Sequence, residues 1–312
     1  MFRFIRNLIS AALIVSVILV SVFAAGQLIP NQYIKSYTGA LGDKYEMYNS
    51  PDRQASVILV GGSNLGFGVD CERMTAELGT DVLNIGLHAG LKRDFELNLA
   101  KTNVLKGDII ILALEYSAYI EEPMTESTTW YAVDNDMKLI KLIPWAERFN
   151  LLRFYPFHLM QKVKDAVLNP FPEPSAEAYS REFFNEYGDL VYPRPENLRT
   201  PEEITRSIYI DKEHVSEESI ESLKEFKDYC ESRGAKVYFS SPSVDELSVI
   251  TTDKDIVEFE KYITENTGIE MISDTESYVM DTEFFYDTNY HLNDAGVQKR
   301  TDLLIEDLKK II

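Results

Sequence analysis

Cysteine is scarce in this chain, and its two cysteines show no metal-binding pattern. Cys71 and Cys230 lie far apart in the 312 residues. Neither stands in the short spacing that zinc sites require. No metal and no cofactor are expected for this chain. A buried free thiol is the expectation for each. A disulfide between them is the alternative, because the chain is expected to leave the cytoplasm.

Lysine and arginine are too few to balance the acidic residues. The chain has 31 Lys and Arg against 51 Asp and Glu, which gives a net charge of −20. Nucleic acids and anionic lipid surfaces both attract basic patches, so that neither class of partner is expected. The hydrophobic share of 45% is that of an ordinary globular protein that buries a sizeable core.

Charge is also absent from a long stretch near the N-terminus. Residues 8–25 carry no charged side chain and follow Arg3 and Arg6. As a helix this stretch spans roughly 27 Å, close to the ~30 Å hydrocarbon core of a bilayer. The arginines on its N-terminal side predict a single-pass membrane anchor with the bulk of the chain outside the cytoplasm. A secretory signal peptide, cleaved after Val22-Phe23-Ala24, is the alternative.

The rest of the chain alternates short apolar runs with amphipathic stretches. Strands are predicted at 56–60, 82–85, 236–240 and from residues 107 and 268, and helices at 70–78, 95–105, 216–234, 255–266 and 293–312. Continuous apolar strands indicate a mostly parallel sheet covered on both faces. The prediction is an anchor or signal segment over 1–29 and an α/β domain over 30–312.

A region at about 121–210 breaks this alternation. It is rich in aromatic residues and proline and is expected to be an insertion over one end of the sheet. Its side chains Trp130, Tyr131, Trp145 and Tyr155 have two interpretations. They pack the small core of the insertion, or they are exposed and stack on sugars.

The stretch "VILVGGSNLGFGVD", residues 57–70, surrounds one serine with glycines after an apolar run. A dinucleotide fingerprint fails because Ser63 occupies its second glycine position. A phosphate-binding P-loop fails because Phe67 and Gly68 replace its Lys and Ser/Thr. The remaining chemical interpretation is a nucleophile. A serine on a tight turn after a strand exposes its hydroxyl at the edge where α/β proteins bind ligands.

Serine needs a base, normally a histidine oriented by a carboxylate. The four histidines are His88, His158, His214 and His291. His158 lies in the insertion and His214 in an acidic stretch, whereas His88 follows a strand. His291 comes just before the last predicted helix, four residues after Asp287, where a loop can bring both groups to Ser63.

Three short blocks together resemble the SGNH/GDSL hydrolase superfamily. "VGGSNLG" is similar to the block that carries the nucleophile, Ser63. "LNIGLHAG" is similar to the block whose glycine N–H supports the oxyanion, Gly86. "DTNYHLNDAG" is similar to the block that carries Asp287 and His291. The resemblance implies a three-layer α/β/α fold and a Ser-His-Asp triad.

The blocks depart from the family pattern at three places. Gly62 stands where the family has Asp, and the last block reads D-x-x-x-H rather than D-x-x-H. The family's oxyanion asparagine is missing, and the corresponding strand end carries Glu115. Such a donor is worth roughly 3 kcal/mol of transition-state stabilisation. These departures and the anchor resemble the extracytoplasmic branch that accompanies membrane acyltransferases in alginate O-acetylation and in D-alanyl transfer to teichoic acid.

The resemblance implies an esterase or O-acyltransferase that passes an acyl group between a donor and a cell-surface or exported glycan, with a membrane-bound acyltransferase as a candidate partner. Ser63 would attack and His291, oriented by Asp287, would take its proton. The N–H groups of Ser63 and Gly86, joined by Asn64, would hold the oxyanion, and the small Gly62 would let a carbonyl approach.

Two interpretations remain open for each of two residues and for the function itself. Glu115 acts on an acceptor hydroxyl or an ammonium, or it is a strand-end carboxylate paired on the surface. Tyr290 lines the pocket beside His291, or it anchors its loop. The competing function is a non-catalytic surface module that binds glycan or a membrane enzyme.

Overall fold

The computed structural model describes residues 2–29, 31, 33–120, 124–134, 136–168 and 178–312. Within these residues the strands are β1 Val57–Val60, β2 Val82–Asn84, β3 Ile109–Leu112, β4 Lys236–Phe239, β5 Val244–Asp245, β6 Glu270–Met271 and β7 Val279–Met280. The α-helices are α1 Phe2–Leu28, α2 Leu41–Tyr48, α3 Ser63–Gly66, α4 Cys71–Leu78, α5 Arg93–Lys101, α6 Glu126–Val133, α7 Trp145–Leu168, α8 Glu217–Ser232, α9 Asp253–Thr267, α10 Thr275–Tyr278 and α11 Asp294–Leu308.

The main sheet is fully parallel and has the strand order β2-β1-β3-β4-β6. This confirms the predicted α/β class and its mostly parallel sheet. The chain runs from β1 outward to β2 and then crosses back to β3, so that the order reverses beside β1. Ligands of open α/β sheets bind at such a reversal, outside the carboxyl ends of the strands. The turn with Ser63 and the segment with Glu115 follow β1 and β3 at this place.

Alternate residues of the central strands enter two different cores. Ile58, Ile110 and Phe239 belong to one cluster of buried side chains, which includes residues of α5, α8 and α9. Val57 and Ile111 belong to a second cluster, with residues of α4 and α11. Successive side chains of a strand point to opposite faces, so that both faces of the sheet are covered by helices.

Local sequence signals set most helix ends within one or two residues of their predicted positions. The Asp70 side chain accepts the Arg73 N–H at the start of α4, and Gly79 ends that helix at a φ of 69°. The exceptions are the last helix, expected at 293–312, which ends at Leu308, and α5, expected at 95–105. Helix α5 begins at Arg93, directly after Lys92 at a φ of 66°, and ends at Lys101.

The insertion contains α6 and α7, and its described residues form no named strand. Trp130 is buried and donates its indole N–H to the Leu151 carbonyl at 3.0 Å. Tyr155 packs on Trp130, and Tyr131 stacks on Tyr33 with ring centroids 3.8 Å apart. These three aromatic residues therefore pack within the fold, whereas Trp145 is exposed.

Helix α1 is long and apolar enough to cross a membrane, with a mean hydropathy of 2.7, and no residue of its apolar window is buried. It is compatible with a membrane anchor and with a signal sequence. The two cysteines lie in different cores, Cys71 beside α11 and Cys230 among the side chains of the opposite face. Both are buried free thiols, so that the disulfide alternative is wrong.

Candidate active site

Ser63 is the first residue of α3, three residues beyond the carboxyl end of β1, and its side chain is half-buried. Gly62 precedes it with extended backbone. A Cβ on Gly62 would lie 2.8 Å from Glu115 Oε1 and 3.1 Å from the Ala89 amide nitrogen. The glycine therefore lets the Glu115 side chain and the loop after β2 close on the serine turn.

Glu115 is the direct partner of Ser63. The Ser63 hydroxyl donates to Glu115 Oε1 at 3.2 Å, and the Asn64 N–H donates to the same oxygen at 3.2 Å. Glu115 is buried. The interpretation of Glu115 as a strand-end carboxylate on the surface is therefore wrong, and its carboxyl group belongs to the serine turn.

Burial raises the pKa of Glu115 above its ordinary value. The nearby His291, the hydrogen bonds from Asn64 and Ser63, and the charge of Arg300 oppose this rise without cancelling it. The environment thus favours the neutral carboxyl more than water does. A neutral carboxyl can donate a hydrogen bond as well as accept one.

Asp287 and His291 form the pair that the sequence predicts. His291 Nδ1 lies 2.8 Å from Asp287 Oδ1. The additional residue in D-x-x-x-H therefore does not keep the two groups apart. Burial alone would raise the pKa of Asp287, but the hydrogen bond and charge of His291 and the hydrogen bond from Tyr179 lower it. The carboxylate is thereby held in its charged form, as an orienting group requires.

Tyr179, from the insertion, completes this pair. Its hydroxyl donates to Asp287 Oδ2 at 2.7 Å and lies 3.1 Å from His291 Nδ1. Burial raises the pKa of Tyr179, and Asp287 raises it further, so that the phenol remains a donor. The three side chains form one network around Nδ1 of the histidine.

Phe67 connects this network to the serine turn. Its ring is stacked on the His291 ring, with centroids 4.0 Å apart and planes 3° from parallel. Phe67 lies one helical turn after Ser63 and donates its N–H to the Ser63 carbonyl at 2.9 Å. Among the described contacts, however, Ser63 Oγ bonds to Glu115 and not to His291. The structure therefore brings the three predicted groups to one place without closing the Ser–His hydrogen bond.

The predicted oxyanion donors differ in availability. The Gly86 N–H donates to Asn84 Oδ1 at 3.0 Å, and the Asn64 N–H is taken by Glu115. The Asn64 side-chain amide donates to the Ala113 carbonyl at 2.9 Å. The Ser63 N–H begins a helix and has no acceptor in the described part of the chain. Two of the predicted donors are thus used within the fold, and Ser63 keeps a free amide.

Tyr290 and His88 lie near the same site. Burial raises the pKa of Tyr290, with Glu115 and Tyr116 adding to the rise. Burial lowers the pKa of His88, as does the nearby His291, so that His88 tends to stay neutral. Its Nδ1 accepts the Gly90 N–H at 2.9 Å, which fixes the ring.

The two remaining histidines serve local structure. His158 Nε2 lies 3.1 Å from Asp134 within the insertion, and His214 bonds to Asp211 at 2.7 Å. No group of three His, Cys, Asp or Glu side chains in the described ranges is arranged to hold a metal.

Sequence reasoning missed a buried cation beneath the serine turn. Arg300, on α11, donates through Nη1 to the Asn64 carbonyl at 2.5 Å, while its Nε and Nη2 have no described partner. Burial lowers the pKa of Arg300 to about 10, although nearby acidic groups oppose this. The guanidinium therefore remains charged at neutral pH and favours negative charge at the site. Arg300 lies inside the last helix, where no sequence pattern indicates a role at the site. Phe67, by contrast, lies in the glycine-rich turn that the sequence already indicates.

Comparison with known protein families finds no family model that matches this chain, and no curated protein matches it either.

Proposed function

We propose that this protein is an extracytoplasmic, serine-dependent acyl-ester enzyme, an esterase or O-acyltransferase of the SGNH type. One observation carries the proposal: a half-buried serine at the switch point of a parallel sheet is connected, through the Phe67 ring, to a histidine that a carboxylate orients. The two helix-covered faces of the sheet support the three-layer α/β/α arrangement that this type implies.

The proposed reaction begins with a rotation of Ser63 Oγ from Glu115 toward His291 Nε2. The hydroxyl oxygen then attacks the carbonyl carbon of an acyl ester, and its proton passes to His291. The intermediate collapses when the bond to the alcohol oxygen breaks, and that oxygen takes the proton from the imidazolium. Asp287 and Tyr179 hold Nδ1 throughout, which leaves Nε2 as the ring nitrogen that takes the proton.

Glu115 takes the place of the missing asparagine in this mechanism. In its protonated form, which burial favours, Glu115 would donate its O–H to the developing oxyanion at the end of the strand where the family carries its amide donor. Arg300 below the turn stabilises the same negative charge through space. A buried carboxylic acid that acts as a hydrogen-bond donor is an established way of stabilising an oxyanion.

The acyl-enzyme is resolved by an acceptor hydroxyl. Water gives an esterase, and a sugar hydroxyl of a cell-surface or exported glycan gives a transferase. Helix α1 anchors the chain with its domain outside the cytoplasm, where both the glycan and a membrane-bound acyltransferase that supplies acyl groups would be accessible. The proposed chemistry uses no cofactor.

A fluorophosphonate probe tests the nucleophile directly. The full-length chain in detergent is treated with the probe beside Ser63→Ala and beside His291→Gln. The proposal expects labelling of Ser63 in the folded wild type, strong slowing in His291→Gln and none in Ser63→Ala. Labelling that is absent from the folded wild type, or that persists in Ser63→Ala, would contradict it.

A non-catalytic glycan-binding module is the second candidate. Its support is that the Ser63 hydroxyl is engaged by Glu115 rather than His291 and that the Gly86 amide is engaged by Asn84. This candidate expects glycan binding that Ser63→Ala leaves unchanged, with no acyl transfer to the chain. Loss of acylation in Ser63→Ala excludes it as the complete function.

A further inference from the structure

Helix α7 carries an apolar stripe that the domain does not cover. Six of its side chains are exposed, repeat at intervals of three, four or seven residues and therefore share one face of the helix. This α7 stripe consists of Trp145, Phe149, Leu152, Pro156, Met160 and Val167. Soluble surfaces rarely expose so large a continuous apolar patch, and such patches mark interaction sites.

The opposite face of α7 packs on the insertion. Leu151, His158 and Lys162 are buried there, and Lys162 pairs with Asp134 at 2.8 Å. The exposure of the stripe is therefore not the result of a detached helix. It belongs to a helix whose inner face packs on the domain and whose outer apolar face has no partner among the described residues.

The end of α1 rests on the middle of α7. Phe23 makes an edge-to-face contact with Tyr155, and the Gln27 side chain donates to the Tyr155 hydroxyl at 2.7 Å. Gly26 lies so close to Leu159 that a Cβ would meet the Leu159 Cβ at 2.9 Å. Leu159 is adjacent to Met160 of the α7 stripe. The exposed apolar surface of α1 thus continues onto the stripe.

This contact fixes the level of α7 relative to a membrane. Helix α1 has 27 residues and is roughly 40 Å long, whereas a hydrocarbon core measures ~30 Å. If residues 8–25 fill the core, then Phe23, Gly26 and Gln27 lie at its outer boundary, and α7 lies there with them. Tryptophan and other aromatic side chains are enriched at this depth.

The charge of α7 also differs from that of the chain. Residues 145–168 contain four Arg or Lys against two Asp or Glu, within a protein whose net charge is −20. Arg153 and Lys164 are exposed next to the stripe. Basic residues that flank an apolar face are typical of helices that lie in the interfacial plane of a bilayer.

We propose that α7 is an in-plane membrane helix whose stripe enters the lipid bilayer beside α1. The proposal rests on the retention of α1 as an anchor, but not on the chemistry of Ser63. Tyr33, which follows α1, donates its hydroxyl to Asp165 of α7 at 2.8 Å. The domain is therefore seated on the membrane surface by two adjoining helices rather than suspended from α1 by a free linker.

The two tryptophans of the chain supply the test. Trp145 lies in the stripe and is 82% exposed, whereas Trp130 is 1% exposed within the insertion. The full-length chain is reconstituted into phosphatidylcholine vesicles, with and without bromine on the acyl chains, beside the variant Trp145→Phe. Flotation with the vesicles first establishes that α1 is inserted. Iodide, which quenches tryptophan from the aqueous side, is then added to the same vesicles.

The proposal expects brominated lipid to quench wild-type emission and Trp145→Phe to lose that quenching, with Trp145 protected from iodide. A chain that floats but whose Trp145 is quenched by iodide and not by bromine would overturn the proposal, and would leave the stripe to a membrane protein partner. A chain that does not float would overturn the anchor and the α7 proposal together, whatever the activity of Ser63.

Discussion

Replacement of Tyr179 by phenylalanine removes one oxygen atom from the proposed site and leaves the ring in place. That oxygen donates to Asp287 at 2.7 Å and lies 3.1 Å from His291 Nδ1. Hydrogen bonds to charged groups contribute about 1.5–3 kcal/mol when they are dry. Tyr179 is 38% exposed, so that water partly replaces the lost donor. We therefore expect a loss of about 1 kcal/mol.

This loss has a kinetic and an acid–base consequence. About 1 kcal/mol corresponds to a roughly 5-fold slower reaction of Ser63 with a fluorophosphonate. Tyr179 also lowers the pKa of Asp287. In Tyr179→Phe that pKa rises, and the acid limb of the labelling rate therefore moves to higher pH by up to about 0.7 of a unit.

The assay measures labelling rates between acidic and alkaline pH for wild type, Tyr179→Phe and, as a control, Tyr209→Phe, a tyrosine stacked on His214 away from the site. A proton spectrum of the imidazole N–H groups reports the His291–Asp287 hydrogen bond independently of activity. An unchanged rate, pH profile and N–H signal in Tyr179→Phe would refute a positioning role for the tyrosine.

Two further predictions concern stability. Because burial raises the folded-state pKa of Glu115 above 4.5, this carboxyl holds its proton more tightly in the folded than in the unfolded protein, and its contribution to stability falls as pH rises from 4.5 through the folded pKa. Glu115→Gln should remove this fall, by up to about 1.4 kcal/mol per pH unit in urea unfolding; a pH-independent difference from wild type would contradict it. Gly86→Ala places a Cβ 2.7 Å from that of Leu65 and 2.9 Å from the Gly61 carbonyl oxygen, and should cost about 1–3 kcal/mol in thermal unfolding. The control Gly42→Ala, with open space around its Cβ, should not destabilise α2, and equal losses in both variants would refute the packing argument.

The periodic part of the sequence predicted the scaffold well. Strands such as "VILV" are short, continuous and apolar, and helix α8 has a capping serine whose side chain accepts the Ser219 N–H. These signals are local. The pairing of Asp287 with His291 is also nearly local, because both residues lie in one short loop, and it was predicted despite the altered spacing.

The remaining features of the site depend on long-range contacts. The bond between Ser63 and Glu115 joins the ends of two adjacent strands, and Tyr179 reaches Asp287 across more than a hundred residues. The use of the Gly86 amide by Asn84 depends on a side-chain orientation after β2. Hydrophobic periodicity carries no information about such contacts.

Acylation of Ser63 is the measurement that tests the central claim most directly. The full-length chain in detergent is incubated with 4-nitrophenyl acetate, and its intact mass and the release of nitrophenol are followed beside Ser63→Ala. The account predicts an acetyl adduct or turnover in the wild type that Ser63→Ala abolishes; a stable adduct would indicate a transferase, and turnover without an adduct an esterase. Reactivity that is equal in the two proteins, or absent from a folded wild type, would contradict the assignment of Ser63 as the nucleophile.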